Sequence, residues 1–315
     1  MLKLNDSGLA VKNLQFQLAS ILNVPILPDG QFGTKTLYYV KLYQKSKGLA
    51  QDGVVGPMTM TLLQGDMLKV SNNIRWWEPK QLEHFAVFID AGHGTIDDNG
   101  KHTTPPSVGK RYRHPTSKMH DGKGNFFEGF ENHLIAEMYI RELAKVGIIG
   151  IRTYHPTIDT PLSVRTELVR KYLRRGYYGF LDSIHSNAAP TAGKSKEVLD
   201  NAIGFCCYTT TEHNFSDQIA SYHIETMKSI FPEMHFRDNW SDGDADQEAM
   251  FAVLRDTDIP EFPLFGSKLD EFCFYTSEKD ANFIINPITR KKRVLAMVQT
   301  AMWVRDTQLA MKLAI

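Results

Sequence analysis

The chain has 315 residues, of which 42% are hydrophobic, and its 36 basic and 36 acidic side chains give a formal net charge of zero. This length and hydrophobic content are enough to bury one large core and a smaller module. The neutral balance argues against a protein that binds nucleic acid by neutralising phosphates, so the basic runs Arg174–Arg175 and Arg290–Arg293 are interpreted as solvated helix faces.

The sequence also bears on membranes and on the redox environment. No uninterrupted run of about 18 apolar residues occurs, so we expect no membrane insertion. The first residues form no apolar segment of signal-peptide length, which favours a protein made in the cytoplasm. Cys206, Cys207 and Cys273 fit neither a disulfide framework nor a Cys-x-x-Cys metal site. They are predicted to be buried thiols in a reducing compartment.

Residues 1–65 contain an internal near-repeat. One copy begins at Asp29-Gly30 and the other at Asp52-Gly53, and in each copy an apolar residue and a second glycine follow. Asp-Gly suits a tight turn, and the second glycine precedes a predicted helix start. Apolar residues at helical spacing run from Val11 to Leu22 and again between the copies. The segment is therefore predicted to form a small three-helix bundle.

This repeat resembles the peptidoglycan-binding domain of the three-helix type that is found in cell-wall hydrolases. The resemblance implies that residues 1–65 bind bacterial peptidoglycan, with Asp29, Gly30, Asp52 and Gly53 as the candidate wall-binding residues. A plain helical bundle whose glycines only make turns is the alternative. The polar stretch 66–84 that follows is interpreted as a linker to a second domain, residues 85–315.

The second domain opens with a run of strand-forming residues, Phe85 to Gly94, that ends on a histidine between two glycines. The same pattern returns at Tyr178 to Ile184, which runs into His185. In an open parallel α/β sheet, functional sites form outside the carboxyl ends of the strands. His93 and His185 are therefore candidate metal ligands at one edge of a sheet.

A long irregular segment, Thr95 to Phe127, separates the first strand from a predicted helix. Loops of this length in compact domains are usually functional, and its histidines are interpreted as solvated, namely His102, His114 and His120. Glu128 opens the helix, in a turn where a carboxylate complements the helix dipole. Two strand-end histidines and one carboxylate match the ligand count of a catalytic zinc with an open fourth position. Glu131 is the alternative carboxylate.

Three motifs now occur in a fixed order: Asp90-Ala91-Gly92-His93-Gly94, then Glu128-x-x-x-Asn132, then Ser183-Ile184-His185-Ser186-Asn187-Ala188. With them, residues 85 to about 305 resemble the zinc-dependent N-acetylmuramoyl-L-alanine amidases of the amidase-3 family. The resemblance implies an α/β fold with a mostly parallel sheet flanked by helices. It also implies a Zn²⁺ ion held by His93, Glu128 and His185.

The resemblance extends to residues around this centre. Arg165 falls where the family has an arginine before the third strand, and Asn187 follows the second histidine; both are implied to bind substrate. The helix that contains Arg165 is predicted to start after Thr160-Pro161 and to bury Val164, Leu168 and Tyr172.

The catalytic base is predicted at Glu271, where the spacing to Phe274 and Asp280 matches a fourth family motif. The segment before it, Phe262 to Asp270, is more polar than the apolar strand that usually precedes this glutamate. Glu261 and Glu248 therefore stay open as alternatives.

The implied reaction is hydrolysis of the amide bond between N-acetylmuramic acid and L-alanine. Zinc activates a water molecule, and a glutamate transfers its proton to the leaving amine. A wall amidase without a secretion signal suggests a bacteriophage endolysin that stays in the host cytoplasm until it is released to the wall. The alternatives are a zinc carboxypeptidase or deacetylase that acts on the wall, and a non-catalytic wall-binding virion protein.

Overall fold

The computed structural model describes residues 1–22, 26, 30–72, 85–97, 101–104, 109–212, 214–241 and 243–313. They form a small helical unit and a larger α/β unit. The helices of the small unit are α1 (Leu9–Leu22), α2 (Thr34–Ser46) and α3 (Pro57–Asn72). Over these ranges, no helix is long and apolar enough to cross a membrane.

The small unit has its own apolar core, which joins all three of these helices. Residues three, four or seven positions apart along α1 and α2 share the inward face, as helical periodicity requires. The buried members are Val11, Leu14, Leu18, Phe32, Val40, Tyr43, Val55 and Leu63. The predicted helical bundle is confirmed, and its core is separate from those of the larger unit.

Two buried glutamines bind the first glycines of the two repeat copies in the same way. The N–H of Gly30 donates to Gln15 Oε1 at 2.9 Å, and the N–H of Gly53 donates to Gln44 Oε1 at the same distance. Both glycines adopt positive φ angles of 76° and 75°, which favour glycine. Asp52 accepts a bond from Gln44 Nε2 at 2.7 Å.

Three of the four predicted wall-binding residues thus make internal contacts in this structure, and their contact with the wall stays a prediction. Gly30, Asp52 and Gly53 shape the turns, and Asp29 lies outside the described residues. Helix α3 continues past residue 65 to Asn72, and Tyr43 donates a hydrogen bond to Asp66 at 2.8 Å. The domain boundaries stay a prediction. The rest of the predicted linker, residues 73–84, is not among the described residues.

The larger unit alternates strands with helices. Its strands are β1 (Phe85–Ala91), β2 (Arg111–Arg113), β3 (Asn125–Phe127), β4 (Ile149–Arg152), β5 (Tyr178–Asn187), β6 (Phe205–Thr209), β7 (Gln247–Glu248) and β8 (Gly266–Phe274). Its helices are α4 (Glu128–Lys145), α5 (Leu162–Leu173), α6 (Lys196–Asp200), α7 (Phe215–Ile230), α8 (Ala252–Arg255), α9 (Glu278–Ile285) and α10 (Pro287–Leu313).

In the described part of the chain, the main sheet has six strands in the order β4-β1-β5-β8-β6-β7. All neighbouring pairs are parallel except β6 and β8. Helices α4, α7 and α10 cover one face, and α5 and α8 cover the other. The short strands β2 and β3 form a separate antiparallel pair. The predicted fold class, a mostly parallel sheet flanked by helices and preceded by a helical bundle, is confirmed.

Strand β8 is the polar segment that departs from the usual apolar pattern, and buried ion pairs explain it. Lys268 is fully buried, and its Nζ lies 2.7 Å from Asp182 Oδ1 and 2.8 Å from Asp270 Oδ2. Asp270 also lies 3.0 Å from His223 Nε2. Burial opposes the charge of Asp270, but His223 and Lys268 outweigh it and lower its pKa. The charged residues of β8 are therefore buried as ion pairs with each other, with Asp182 of β5 and with His223 of α7.

Helix α5 buries a different face from the one predicted. Val164 is 55% exposed, and the buried residues are Arg165, Thr166, Val169 and Leu173. The cause is the Arg165 guanidinium, whose Nη1 lies 2.7 Å from the buried carboxylate of Asp90. Because this pair must be buried together, it turns the arginine toward the sheet and Val164 toward solvent.

The prediction that residues 290–293 form a solvated helix face was wrong for Arg293, which is only 1% exposed. Its Nη2 donates to the carbonyl oxygen of His185 at 3.2 Å, and its guanidinium stacks on Phe272. The interpretation holds for Arg174, whose side chain is largely exposed. Cys206, Cys207 and Cys273 are buried free thiols, as predicted.

We predict that Lys268→Met lowers the free energy of unfolding by about 3–5 kcal/mol, because it leaves Asp182 and Asp270 as uncompensated charges in the core. Urea denaturation followed by circular dichroism measures this change. The exposed Lys279 provides the control, and Lys279→Met should change stability by less than about 0.5 kcal/mol. Equal stability of the two variants would contradict the importance of the buried pair.

Candidate metal centre

His93 lies in a tight loop directly after β1. Its backbone adopts a positive φ of 67°, an uncommon conformation for a histidine. Gly92 makes room for the site, since a Cβ there would lie 2.1 Å from Cε1 of His185. Gly129, in the first turn of α4, meets the same loop, where a Cβ would lie 1.6 Å from the carbonyl oxygen of Gly94. These close approaches explain why the loop and the helix need glycine at these positions.

Hydrogen bonds from buried side chains fix the carbonyl groups of this loop. Arg165 Nη1 donates to Ala91 O at 2.6 Å, and Asn132 Nδ2 donates to Gly92 O at 3.2 Å. His133 Nε2 lies 3.2 Å from His93 O, which can only accept. Burial, followed by the charge of Arg165, lowers the pKa of His133 to about 4. His133 is therefore neutral near pH 7 and donates its Nε2 hydrogen.

Three side chains converge at the carboxyl ends of β1 and β5. Glu128, the first residue of α4, is fully buried, and its Oε1 lies 3.4 Å from His93 Nε2 and 3.1 Å from His185 Nδ1. One ligand atom from each of the three residues falls within 4.8 Å of the others. The sequence-predicted set of His93, Glu128 and His185 is thus brought together.

The electrostatics of the set favour a bound cation. Burial opposes ionisation of Glu128, but His93 and the hydrogen bond from His185 hold its pKa well below the usual value. Glu128 Oε2 and His93 Nε2 are buried and have no hydrogen-bond partner among the described residues. A metal ion would satisfy both atoms. Two imidazoles and one carboxylate also match the donor set of a catalytic zinc site with an open position.

Glu271 stands beside this set because of strand pairing. In the register of β5 and β8, Glu271 is the direct neighbour of His185. Its Oε2 is buried and has no hydrogen-bond partner among the residues described. Burial, and then the negative charge of Glu128, raises the pKa of Glu271 to about 8. Glu271 therefore lies next to the three candidate ligands, on the strand neighbouring His185.

The alternative carboxylates lie elsewhere. Glu261 is exposed in a turn before β8, next to the end of the sheet that is opposite His185. Glu248 belongs to the edge strand β7, which β6 and β8 separate from β5. Glu131 accepts hydrogen bonds from Nε and Nη2 of Arg290, at 2.7 and 2.5 Å. Glu128 thus belongs to the three-residue cluster and Glu271 is the strand neighbour of His185, whereas these three glutamates are not part of the cluster. The assignment of ligand and base among them stays a prediction.

The loop histidines at 114 and 120 are buried, so their interpretation as solvated residues was wrong. Each is 3% exposed. His120 Nδ1 accepts a hydrogen bond from the N–H of Phe127 at 2.9 Å, and its Nε2 therefore donates to Glu131 at 3.0 Å. His114 Nε2 lies 2.8 Å from the carbonyl oxygen of Tyr275. These contacts attach the long loop to α4 and to the end of β8.

Arg165 and Asn187, the predicted substrate-binding residues, differ in their surroundings. Arg165 lines a pocket of about 420 Å³ with His93 and His185, but its guanidinium is 2% exposed and binds Asp90 and backbone carbonyls. Its described contacts position the His93 loop. Asn187 ends β5, and its Oδ1 accepts from the N–H of Ala188 at 2.8 Å. Substrate contact by either residue stays a prediction.

Lys110 is a residue of the site that the sequence analysis missed. Its Nζ lies 3.5 Å from Glu128 Oε2, and its carbonyl oxygen accepts from the N–H of Glu128 at 3.0 Å. Its backbone has a positive φ of 60°. The only signal in the sequence was the preceding Gly109 in a long loop, which does not reveal a contact with a helix 18 residues further on.

Comparisons with known proteins found matches to the small unit and to the larger unit. Residues 7–63 match the family model described as "Putative peptidoglycan binding domain". A curated relative, an uncharacterised protein in the bpoA1 3' region of Kitasatospora aureofaciens, is 47% identical over 64 residues, which are 20% of this chain and 54% of that protein. The match thus spans about half the length of that relative.

Two solved structures share the fold of the larger unit. An N-acetylmuramoyl-L-alanine amidase from Clostridium difficile 630 is 21% identical with a TM-score of 0.50, over 71% of this chain and 97% of that one. An N-acetylmuramyl-L-alanine amidase from Mycobacterium smegmatis is 17% identical with a TM-score of 0.50, over 71% and 97%. At these identities the likeness shows the fold.

We predict that the purified chain contains about one divalent transition-metal ion, and that His93→Ala and His185→Ala each lose most of it, because two ligands hold such an ion poorly. Inductively coupled plasma mass spectrometry of dialysed protein measures the content. His235→Ala, which removes an exposed imidazole, is the matched control and should keep the metal. Full occupancy in both site variants would show that the metal binds elsewhere.

Proposed function

We propose that this chain is a peptidoglycan hydrolase that cleaves the amide bond between N-acetylmuramic acid and L-alanine with the help of zinc. The observation that carries the proposal is the cluster of His93, Glu128 and His185 with Glu271 at its side. The cluster sits in a fold shared with two proteins named as amidases of this class. The match of residues 7–63 to a peptidoglycan-binding family supports the same substrate.

The residues present fit a zinc ion, which His93, Glu128 and His185 would hold. When bound, zinc supplies a positive charge that polarises a carbonyl group and lowers the pKa of a water molecule to roughly 7. Glu271 then has the position of a general base, and the positive charge of a bound zinc ion would favour the ionised carboxylate that this role requires. It accepts the proton of the attacking water and returns it to the nitrogen of the leaving L-alanine.

Other residues keep this geometry. Arg165 holds the carbonyl oxygens of Ala91 and His93, so the His93 ring keeps its direction. The bidentate pair of Arg290 with Glu131 fixes the first turn of α4, which contains Glu128. Lys110 contributes a positive charge next to Glu128, where it favours the ionised carboxylate. These residues thus position the proposed ligands and stabilise the negative charge of Glu128.

The main prediction concerns the bond that is cut. Wild-type protein incubated with purified sacculi should release glycan with a free lactyl carboxyl group and peptides with a free L-alanine amine, which mass spectrometry identifies. Glu271→Gln should lose about 10²- to 10⁴-fold in rate and keep its metal, because general acid–base groups contribute that much.

Glu261→Gln and Glu248→Gln are the matched controls, and both should keep near-normal activity. If either control variant loses activity while Glu271→Gln stays active, the assignment of Glu271 as the general base is wrong. Release of D-alanine or of acetate, without a free L-alanine amine, would instead favour the carboxypeptidase or the deacetylase.

A second prediction concerns the small unit. Full-length protein should sediment with purified sacculi, and a chain that starts at residue 85 should stay in the supernatant, because residues 7–63 match a wall-binding family and have their own core. Residues 1–72 fused to a fluorescent protein should sediment as well. Binding by the truncated chain alone would place wall recognition in the larger unit.

We also propose lysis of a bacterial host as the biological role, with release from the host cytoplasm to the wall. The support is the presence of wall-binding and hydrolytic features in one chain. Purified protein should lower the turbidity of permeabilised bacteria, and the Glu271→Gln protein should not. A wild-type protein that cleaves sacculi but leaves such cells intact would argue for a role in wall remodelling.

A further inference from the structure

A second group of potential ligands lies where β6 ends beside the edge strand β7, and it shares no residue with the centre around His93. Carboxylate oxygens of Asp217, Asp244 and Asp246 lie within 4.8 Å of one another. They come from the first turn of α7 and from the loop before β7. Asp246 is fully buried and Asp217 is 8% exposed. Three carboxyl groups are therefore collected at a protected point of the fold.

Few hydrogen-bond donors face the oxygens of Asp244 and Asp246, whereas Asp217 Oδ2 accepts from the N–H of Asn214 at 2.6 Å. The hydroxyl of Thr209 has one hydrogen, but it lies 2.5 Å from Asp246 Oδ2, 3.1 Å from Asp217 Oδ1 and 3.3 Å from Thr210 O. The other oxygen of Asp246, Oδ1, is buried and has no hydrogen-bond partner among the described residues, and the same is true of Asp244 Oδ1. A buried carboxylate without a donor is costly, which indicates that another positive group belongs here.

Basic side chains of the described residues do not supply that group to Asp244 or Asp246. Neither carboxylate forms an ion pair with a described lysine, arginine or histidine. Lys228, in the last turn of α7, pairs instead with Asp238 at 2.9 Å and with Glu225 at 3.1 Å. Burial and the neighbouring Asp244 raise the pKa of Asp246 to about 8. The isolated cluster therefore resists full ionisation.

We propose that Asp217, Asp244 and Asp246 bind a divalent cation, with calcium as the preferred ion. The reason for calcium is the donor set, since hard oxygen ligands and an irregular arrangement suit this ion, whereas magnesium requires near-ideal octahedral geometry. The bound ion would connect the end of β6, the first turn of α7 and the loop before β7. Its role is structural, and it is independent of the proposed hydrolase activity.

Terbium, a luminescent substitute for calcium, tests the proposal on the full-length chain after passage over a chelating resin. Trp240 lies in the same loop, which Asn239 and Ala245 close with a backbone hydrogen bond of 3.2 Å, and it can sensitise the emission. We expect saturable binding that calcium competes away. Asp244→Asn and Asp246→Asn should each weaken it by about tenfold or more, since each removes one charged ligand.

Two matched variants separate this site from others. Asp238→Asn removes a carboxylate of the same loop that pairs with Lys228, and it should leave terbium affinity unchanged. His185→Ala disrupts the first centre and should also bind terbium normally. Calcium should raise the thermal midpoint of the wild-type chain and not that of Asp246→Asn.

The proposal is overturned if terbium affinity is the same in the wild type, Asp244→Asn and Asp246→Asn. It is also overturned if calcium leaves the wild-type midpoint unchanged while both asparagine variants melt higher than the wild type without metal. In that case the cluster binds no cation. Its carboxyl groups share a proton and destabilise the fold by repelling one another.

Discussion

The in-register pairing of β5 with β1 and β8 is the constraint on which the proposed site depends. Parallel pairing places the carboxyl ends of all three strands at one edge, and the register sets His185 directly beside Glu271. A shift of one residue would turn each of these side chains to the opposite face of the sheet. The geometry of the metal centre is therefore a property of the sheet, and α4 adds Glu128 to it.

Arginine side chains maintain this geometry at the backbone level. Arg165 donates to the carbonyl oxygen of His93, and Arg293 donates to that of His185. Both guanidinium groups are nearly completely buried, and burying such a charge is expensive unless it is paired and hydrogen-bonded. The planar guanidinium of Arg165 binds the Asp90 carboxylate and carbonyl oxygens at once, which a lysine cannot do with the same rigidity. Arg293 stacks on Phe272 instead, and its Nε and Nη1 have no hydrogen-bond partner among the described residues. The two proposed histidine ligands are thus oriented by similar means from opposite sides of the sheet edge.

Much of the fold and of the centre could be predicted from the sequence, because the relevant signals are local. An apolar strand that stops at His93 or His185 is visible in a few residues, and so is the repeated Asp-Gly turn. The buried charges were not visible, since the partner of Lys268 is 86 residues away and the partner of Arg165 is 75 residues away. For the same reason β8 looked too polar for a central strand, and Val164 was assigned to the wrong side of α5. A polar residue can be buried when it pairs with a residue far away in the sequence. Local periodicity carries no information about such pairs.

The lengths of the strands have a consequence for the behaviour of the protein at high concentration. The central strands β5 and β8 have 10 and 9 residues, whereas the outer strands β4 and β7 have 4 and 2. An outer strand offers unpaired N–H and C=O groups to any other chain, and long, flat edges are templates for aggregation. Here the longest ladders are enclosed by neighbours on both sides, and each border offers only a short stretch of free backbone. These short outer strands therefore limit edge-to-edge association between copies of the chain.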